Sequence, residues 1–265
     1  MKNSILSLAL FASSVPLVHA ATLIDFESPY TVGAVATATA GTTNKAFVGQ
    51  QNWSDSTSTS GGNIITTTDS GLYTGGSQAL TASITAADQT YIGAKAVGAI
   101  TMTTLVFDFR YQSKELGLGG WYDTDNDSLF DQTEAQFMAG TVTPVSTNYF
   151  GVRGAGFGTK YSTGTSGTNG SWYRMTVTPD FANLQVTLAV FDLTTNSAVT
   201  LATSVFTLPS AQFGVNPTDY EGITARVTGN SGASAAIDNI QVIPEPTAAL
   251  LGGLGMLSLL RRRRG

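Results

Sequence analysis

The most informative absences in this chain are those of cysteine and histidine. It contains no cysteine, and its one histidine, His19, lies close to the N-terminus. Beyond that position the sequence cannot form a disulfide, a thiolate metal site, or a Ser–His–Asp or Cys–His catalytic centre. An ordinary zinc site is excluded for the same reason. Any catalysis would have to use carboxylates, Lys, Tyr or Ser alone.

Charged residues are also scarce, and glycine is abundant. Only 12% of the 265 residues are charged, and 29 are glycine. A helical bundle or coiled coil needs many more Ala, Glu, Lys and Leu residues than this. The hydrophobic content of 42% is enough to build a core. We therefore expect one large all-β domain or two small ones.

The sequence between residues 21 and 243 predicts short strands separated by turns rich in Gly, Ser, Asn and Asp. Apolar residues alternate over 103–111, for example, and the stretch 54–62 is a low-complexity sequence that we expect to form an exposed loop. This spacing is typical of an antiparallel β-sandwich. We expect the first and last strands to pair and close a jelly-roll-like sheet. The predicted strands cover 22–27, 62–67, 79–84, 103–111, 148–153, 172–178, 184–193, 197–207, 221–228 and 235–243.

Residues 1–20 have the features of a secretory signal peptide. Lys2 supplies the positive charge, Ile5–Leu17 supplies a short apolar segment, and Val18–Ala20 precedes a cleavage point before Ala21 or one residue later. The alternative is a buried N-terminal helix.

The last 22 residues, 244–265, have three parts in a fixed order. Pro244-Glu245-Pro246 comes first, and the uncharged run Thr247–Leu260 follows. Arg261, Arg262, Arg263 and Arg264 come next. As a helix the 14-residue run is about 21 Å long, which is short for a bilayer core of about 30 Å, but snorkelling Arg side chains and local thinning can make up the difference. The positive-inside rule keeps the four arginines cytoplasmic, with the body outside.

This terminal segment resembles the PEP-CTERM sorting tail of exported bacterial proteins. The resemblance rests on Pro244, Glu245 and Pro246, the apolar run and the arginine cluster. It implies that an exosortase, a membrane protease-transpeptidase, removes the tail during export in a bacterium that makes an exopolysaccharide matrix. The two prolines also keep the segment extended, as a protease requires.

Removal of both ends would make the body strongly acidic. Without Lys2 and the four terminal arginines, and with Glu245 kept, eight basic and eighteen acidic residues remain, a formal net charge of about −10. This charge argues against nucleic acid and anionic lipid as partners of the body. It is compatible with neutral sugars and divalent cations. We expect the protein in the inner membrane with its body on the periplasmic side, and then at the cell surface or in the extracellular matrix.

One acidic segment, 123–134, has the spacing of a metal-binding loop. Acids at positions 1, 3, 5, 9 and 12 of this segment would repel one another unless a cation lay among them. This is the spacing of an EF-hand-type calcium loop, and oxygen ligands alone select a hard ion such as Ca²⁺. Position 7 would contribute a backbone carbonyl. The candidate ligands are Asp123, Asp125, Asp127, Leu129, Asp131 and Glu134.

The loop departs from a complete EF-hand in two ways. Position 6 is Ser128 instead of glycine, and the glycine-rich segment 116–122 predicts no preceding helix. A short helix is expected over 133–138. The loop is therefore more similar to those of dockerins and thrombospondin type-3 repeats, which implies a structural calcium ion. The alternative is a solvated acidic turn.

Two weaker site predictions concern carboxylates and aromatic rings. Asp25, Glu27 and Asp238 lie on the two terminal strands and form either a second cation site or ordinary exposed carboxylates. Aromatic residues could form a platform for sugars, although aromatic residues in strands are more often part of a core. Trp121, next to the acidic loop in the glycine-rich segment, is the best candidate for carbohydrate contact. The other candidates are Tyr30, Trp53, Tyr73, Tyr149, Trp172 and Tyr173.

The segment 172–193, WYRMTVTPDFANLQVTLAVFDL, is similar to the central hairpin of LamG and concanavalin-like sandwiches. Such folds often bind carbohydrate, but a fold does not determine a function. Our leading hypothesis is a non-enzymatic exported protein with a structural, adhesive or carbohydrate-binding role in a matrix of extracellular polysaccharide. The alternative is a carboxylate-based polysaccharide hydrolase or lyase on a β-sandwich.

Overall fold

The computed structural model describes the chain in thirteen segments, all of them within one compact unit, Ala21–Glu245. The described residues are 22–26, 33–37, 51, 53–56, 63–67, 78–82, 89–100, 104–111, 115–126, 132–144, 146–214, 220–229 and 236–243. The signal helix predicted for 1–20 and the transmembrane helix predicted within 244–265 lie outside them. No helix in these segments is both long and apolar enough to cross a bilayer.

The described residues are mostly β-strand. They contain one short α-helix, α1 (Ser210–Phe213), and two 3-10 helices, Gln132–Glu134 and Ala155–Phe157. The strands are β1 (Thr22–Ile24), β2 (Gly33–Thr37), β3 (Trp53–Ser56), β4 (Asn63–Thr67), β5 (Ala79–Ala82), β6 (Gln89–Ile100), β7 (Thr104–Arg110), β8 (Leu116–Trp121), β9 (Ala135–Val142), β10 (Tyr149–Arg153), β11 (Lys160–Ser162), β12 (Trp172–Asp180), β13 (Gln185–Asp192), β14 (Ser197–Val199), β15 (Val205–Thr207), β16 (Tyr220–Gly229) and β17 (Ala236–Ile243).

These strands form two sheets, and every pairing given for them is antiparallel. The larger sheet has the order β14-β13-β12-β7-β17-β5-β4-β2, with β1 also paired to β17 and β15 to β13. The smaller sheet has the order β11-β10-β9-β8-β16-β6-β3. The prediction of an all-β antiparallel sandwich is confirmed. So is the pairing of the first and last strands, in which Ile24 lies opposite Ile240.

The core lies between the two sheets and is rich in aromatic side chains. Phe109 on β7 and Tyr173 on β12 belong to the larger sheet, and Phe150 on β10 belongs to the smaller one. The ring centroids of Phe109 and Phe150 are 6.2 Å apart, and those of Phe150 and Tyr173 are 5.1 Å apart. The alternation predicted over 103–111 is confirmed, because Leu105, Phe107, Phe109 and Tyr111 are all buried in this core.

Some local predictions differ from the structure. The stretch 54–62, expected as an exposed loop, begins within strand β3, which pairs with β6, and residues 57–62 lie outside the described residues. The strand predicted over 197–207 is two strands, β14 and β15, which both pair with β13.

The helix expected over 133–138 is a single 3-10 turn, Gln132–Glu134, followed by the fully buried strand β9. The glycine-rich segment before the loop forms no helix, as predicted, and is strand β8, also fully buried. Local propensity failed for the expected helix because residues 135–138 pair with β8 and β10, and packing in the sheet outweighs the weak preference of single residues.

Candidate metal site at the end of strand β8

The site forms because one loop joins two adjacent antiparallel strands. Strand β8 ends at Trp121 and β9 begins at Ala135, and these two residues lie opposite each other in the ladder. The chain that leaves β8 at Asp123 therefore returns beside it through the 3-10 turn that ends in Glu134. Residues eleven positions apart in sequence become spatial neighbours.

Three carboxylates converge at this point. One carboxylate oxygen each of Asp123, Asp125 and Glu134 lie within 4.8 Å of one another. Asp123 and Glu134 are buried, whereas Asp125 is exposed. Buried carboxylates are costly unless they are compensated by hydrogen bonds, cations or metal ions. The three carboxylates offer the oxygen ligands that a hard divalent cation prefers. The site is open to solvent on the side of Asp125.

The Glu134 side chain is held in position by residues at the other end of the loop. The indole N–H of Trp121 donates to Oε2 at 3.1 Å, and the backbone N–H of Thr124 donates to Oε1 at 2.8 Å. The Thr124 hydroxyl contacts the same Oε1 at 3.3 Å. Each carboxylate oxygen can accept more than one interaction, so these bonds orient Glu134 without saturating it.

The structure brings together three of the six predicted metal ligands, Asp123, Asp125 and Glu134. Asp127, Leu129 and Asp131 lie outside the described residues, and so does Ser128. The sorting motif, consisting of Pro244, Glu245, Pro246 and Arg261–Arg264, also lies outside them.

Trp121 has a different role from the one predicted for it. We expected it in an exposed loop, where its ring could stack on a sugar, but it is the last residue of β8 and is only 3% exposed. Its indole N–H is bonded to Glu134, so the side chain supports the acidic cluster. Most other candidate platform rings are also covered: Trp53, Trp172 and Tyr173 are buried, Tyr149 is half-buried, and Tyr30 and Tyr73 lie outside the described residues.

The second acidic group is part of a polar network on the larger sheet. Asp238 on β17 lies opposite Asp108 on β7, and both are buried. Arg174 binds Asp108 through two nitrogens, at 2.7 and 2.8 Å, and this hydrogen bonding raises the pKa of Arg174. Asn239 donates its backbone N–H to Asp238 at 2.8 Å. Asp25, the residue after β1, is half-buried, and Glu27 lies outside the described residues.

Sequence reasoning missed a cluster of charged residues at the other end of β8. Glu115, one residue before the strand, forms ion pairs with Arg153, Lys160 and Arg226. These partners lie 38 to 111 residues from Glu115 along the chain. Only the strand order of the smaller sheet brings them together, so no local spacing in the sequence could have indicated the cluster.

Comparison with known proteins gives structural neighbours only. No protein-family model and no curated protein matches the chain. The globular domain of T. cruzi calreticulin matches with a TM-score of 0.46 at 12% identity, covering 78% of this chain and 89% of that one. The exoplasmic/lumenal domain of VIP36 matches with a TM-score of 0.44 at 10% identity over 77% and 91% of the two chains. Peanut lectin matches with a TM-score of 0.42 at 9% identity, covering 84% of this chain and 96% of that one. Because these scores lie below 0.5, the assignment of the sandwich rests on the strand order and register.

Proposed function

We propose that this protein is an exported bacterial surface or matrix protein with a calcium-stabilised β-sandwich body. In this proposal the signal peptide starts its export, the PEP-CTERM tail holds it in the inner membrane by a transmembrane helix, and an exosortase processes it. The body, a sandwich of the LamG or concanavalin type, then has a structural, adhesive or carbohydrate-binding role in extracellular polysaccharide. The sequence at the two ends supports the export steps.

The observation that carries the proposal for the body is the convergence of Asp123, Asp125 and Glu134. All three offer oxygen, which suits Ca²⁺ over softer metals. Asp127, Asp131 and the carbonyl of Leu129 would complete the ligand set. When bound, the ion would supply positive charge that neutralises the clustered carboxylates and ties the loop 123–134 to both β8 and β9.

Calcium should therefore raise the thermal stability of the protein. A site with a dissociation constant of about 10⁻⁴–10⁻³ M, saturated with about 10 mM Ca²⁺, adds roughly 1.4–2.7 kcal/mol to the free energy of unfolding. The test is calorimetric titration with Ca²⁺ together with melting curves in Ca²⁺ and in EDTA. Asp125→Asn is the informative variant because Asp125 is exposed, so that its replacement leaves the buried part of the site intact.

The matched control is Asp192→Asn, which removes one carboxylate from strand β13 of the other sheet. We expect the control to retain the calcium-dependent increase in melting temperature and Asp125→Asn to lose most of it. Calcium binding at this site would be contradicted if Ca²⁺ raised the melting temperatures of the two variants equally, or if the wild type showed no heat of binding.

Carbohydrate binding is tested by a glycan array probed with the protein in Ca²⁺ and in EDTA. Binding that disappears in EDTA and in Asp125→Asn supports a calcium-dependent sugar-binding role. Absence of any bound glycan restricts the proposal to a structural role in the matrix.

The export steps are tested in a bacterium that contains an exosortase. Replacement of Pro244, Glu245 and Pro246 by alanine should keep the protein uncleaved in the inner-membrane fraction, whereas the wild-type body should be released from the tail. Identical processing of both forms would contradict an exosortase-dependent tail.

We also propose that the protein is not an enzyme. A retaining glycosidase needs two carboxylates about 5 Å apart on either side of a substrate cleft. Asp123 and Glu134 are close together but buried, and both oxygens of Glu134 accept hydrogen bonds from the protein. This supports a structural role for them. Release of reducing ends or unsaturated sugars from a polysaccharide, abolished by Asp123→Asn, would favour the hydrolase or lyase instead.

A further inference from the structure

Strands β12 and β13 present a largely uncharged row of side chains on the outer side of the larger sheet. Their alternate residues, such as Met175 and Val190, are buried in the core, so the residues between them point to the other side. There Arg174 lies opposite Phe191 in the ladder. Next to this pair come Thr176 opposite Ala189 and Thr178 opposite Thr187. These six residues are called the β12–β13 face below.

Most of this face is open to solvent. Thr178, Thr187 and Ala189 are exposed, Phe191 is half-buried, and the side chain of Arg174 is 42% exposed. The distance along the strand from Thr187 to Phe191 is about 13 Å, because each residue adds roughly 3.3 Å. The face is therefore long enough to contact a chain of sugars as well as a single ring.

The guanidinium of Arg174 is held in a fixed orientation on this face. Its Nε and Nη2 donate to the two carboxylate oxygens of Asp108, at 2.7 and 2.8 Å. Asp108 is fully buried, and the side chain of Asn239 donates to it at 3.2 Å. Nη1 of Arg174 has no hydrogen bond to the described part of the chain, so its two N–H groups can donate to a ligand. The bidentate pair orients these donors and has no net charge of its own.

Phe191 places an aromatic ring beside the oriented guanidinium. Residues directly opposite in an antiparallel ladder have Cβ atoms about 4.5–5.5 Å apart, so the two side chains border the same spot on the surface. Phe191 also packs against the buried cluster that contains Trp172 and Leu193, which limits the movement of its ring. A fixed apolar ring next to a few oriented polar donors is the usual composition of a site for a small polar ligand. A sugar has matching parts, an apolar ring face and hydroxyl oxygens that accept hydrogen bonds.

We propose that the β12–β13 face binds an uncharged polysaccharide, with one sugar ring on Phe191 and its hydroxyl oxygens on Nη1 of Arg174. The Arg174–Asp108 pair has no net charge to attract an acidic sugar, and the formal net charge of −5 on the chain repels one. The threonine hydroxyls of the face offer hydrogen bonds to the neighbouring sugars of the same chain. This inference rests on the carbohydrate-binding role in the proposed function, and it names the site and the class of sugar.

Binding is measured by native gel electrophoresis of the full-length protein, in a mild detergent and EDTA. Separate gels contain hydroxyethyl cellulose, galactomannan or dextran as neutral polysaccharides, and alginate as an acidic one. We expect at least one neutral polysaccharide to retard the wild type and alginate not to do so. Because the acidic loop does not take part, Asp125→Asn should be retarded as strongly as the wild type.

Two matched pairs of substitutions assign the binding to this face. Phe191→Leu keeps an apolar side chain but removes the ring, and it should weaken binding by about fivefold or more. Phe181→Leu removes another half-buried ring, at the turn between β12 and β13, and should change binding by less than about twofold. Ala189→Glu puts a carboxylate on the face and should abolish retardation, whereas Ala182→Glu makes the same change in the turn and should not. Both alanines are exposed, so these two variants retain the core.

The role of Arg174 is tested by Arg174→Lys. The lysine keeps a positive charge beside Asp108 but has no planar group that can bind the carboxylate and a ligand at once. We expect this variant to fold and to bind the neutral polysaccharide about fivefold more weakly or worse.

Retardation by alginate alone, or equal binding by the two members of either matched pair, would overturn the proposal. If the wild type binds a neutral polysaccharide and Phe191→Leu and Ala189→Glu bind it equally well, the carbohydrate-binding role stands and the site is elsewhere. If no polysaccharide retards the wild type, the carbohydrate-binding role fails together with this site.

Discussion

At the scale of single residues, the buried polar groups of this protein differ in whether they have hydrogen-bond partners. Glu134 and Asp108 are both buried and both accept hydrogen bonds from named side chains. Tyr220 is also buried, but its hydroxyl finds no partner in the described part of the chain. Burial raises the pKa of this phenol, so the hydroxyl stays neutral. An unsatisfied buried hydroxyl costs about 1–3 kcal/mol.

Replacement of Tyr220 by phenylalanine should therefore stabilise the protein. We expect Tyr220→Phe to raise the free energy of unfolding by about 0.5–2 kcal/mol, measured by urea denaturation. Tyr173→Phe is the matched control, because the Tyr173 hydroxyl accepts the backbone N–H of Thr168 at 2.8 Å. Tyr173→Phe should lower the free energy of unfolding by about 1 kcal/mol. A loss of stability in Tyr220→Phe would mean that its hydroxyl has a partner, such as a buried water.

The ion pairs of Glu115 predict a loss of stability in acid. The folded protein holds the pKa of this carboxyl below its ordinary value, because Lys160 and Arg226 outweigh the effect of burial. A carboxylate with a lowered pKa contributes stability above its unfolded pKa of about 4.3, and this contribution is lost as the pH falls from there towards the folded pKa.

The measurement is the melting temperature of wild type and Glu115→Gln between about pH 6 and pH 3. The variant should be less stable near neutral pH, and the difference should shrink below about pH 4.3 as the wild-type carboxyl becomes protonated. If the difference in melting temperature between wild type and Glu115→Gln stays constant with pH, the ion pairs of Glu115 do not contribute pH-dependent stability.

At the scale of elements, the acidic site depends on the close approach of β8 and β9. The ladder between them shifts register between Gly119 and Trp121, just before the chain enters the loop. A Cβ atom at Gly119 would overlap the backbone oxygen of Phe137. A Cβ at Gly117, on the same strand, would lie 3.4 Å from Cβ of Met138, which is an ordinary contact. Glycine is therefore required at one of these positions and not at the other.

The two glycines form a matched pair for mutation. We expect Gly119→Ala to lower the free energy of unfolding by about 2–3 kcal/mol and to weaken calcium binding, because β9 must move away from β8. Gly117→Ala should change stability by less than about 1 kcal/mol. Equal effects of the two substitutions in urea denaturation would contradict the described approach of the strands.

At the scale of the whole molecule, the last described strand is part of the body. Strand β17 lies between β7 and β5 in the larger sheet and also pairs with β1, and it ends at Ile243. The compact unit that contains it ends at Glu245. A boundary between body and sorting tail at this point is a prediction from the sequence.

Two truncations test that boundary. A protein ending at Glu245 should keep a melting temperature within about 2 °C of the full-length value, because it retains every strand pairing of the described residues. A protein ending at residue 235 lacks β17 and should not fold, since this removes an interior strand of the larger sheet. A large loss of stability in the longer truncation would show that the tail packs into the body, and the proposed sorting role would fail with it.

Much of the fold was predictable from alternation of apolar residues along the chain. The strands around 104–110, 172–180 and 236–243 were predicted within one or two residues, because their inward and outward faces differ clearly in polarity. Strands β2, β3, β6, β8, β9 and β11 were not predicted. In β8 and β9 both faces are buried, so glycine and small apolar residues replace the alternating pattern.

For the candidate site, the sequence alone determined which side chains could bind a hard cation, because ligand type and spacing are properties of the local chain. It also determined the chemistry that the lack of cysteine and histidine excludes. Only the tertiary structure decided that Trp121 is buried against Glu134 and that three cations meet at Glu115. The contact of Trp121 with Glu134 depends on the register of β8 and β9, and the contacts of Glu115 depend on strands up to 111 residues away. The free energy of both arrangements depends on packing that no local pattern records.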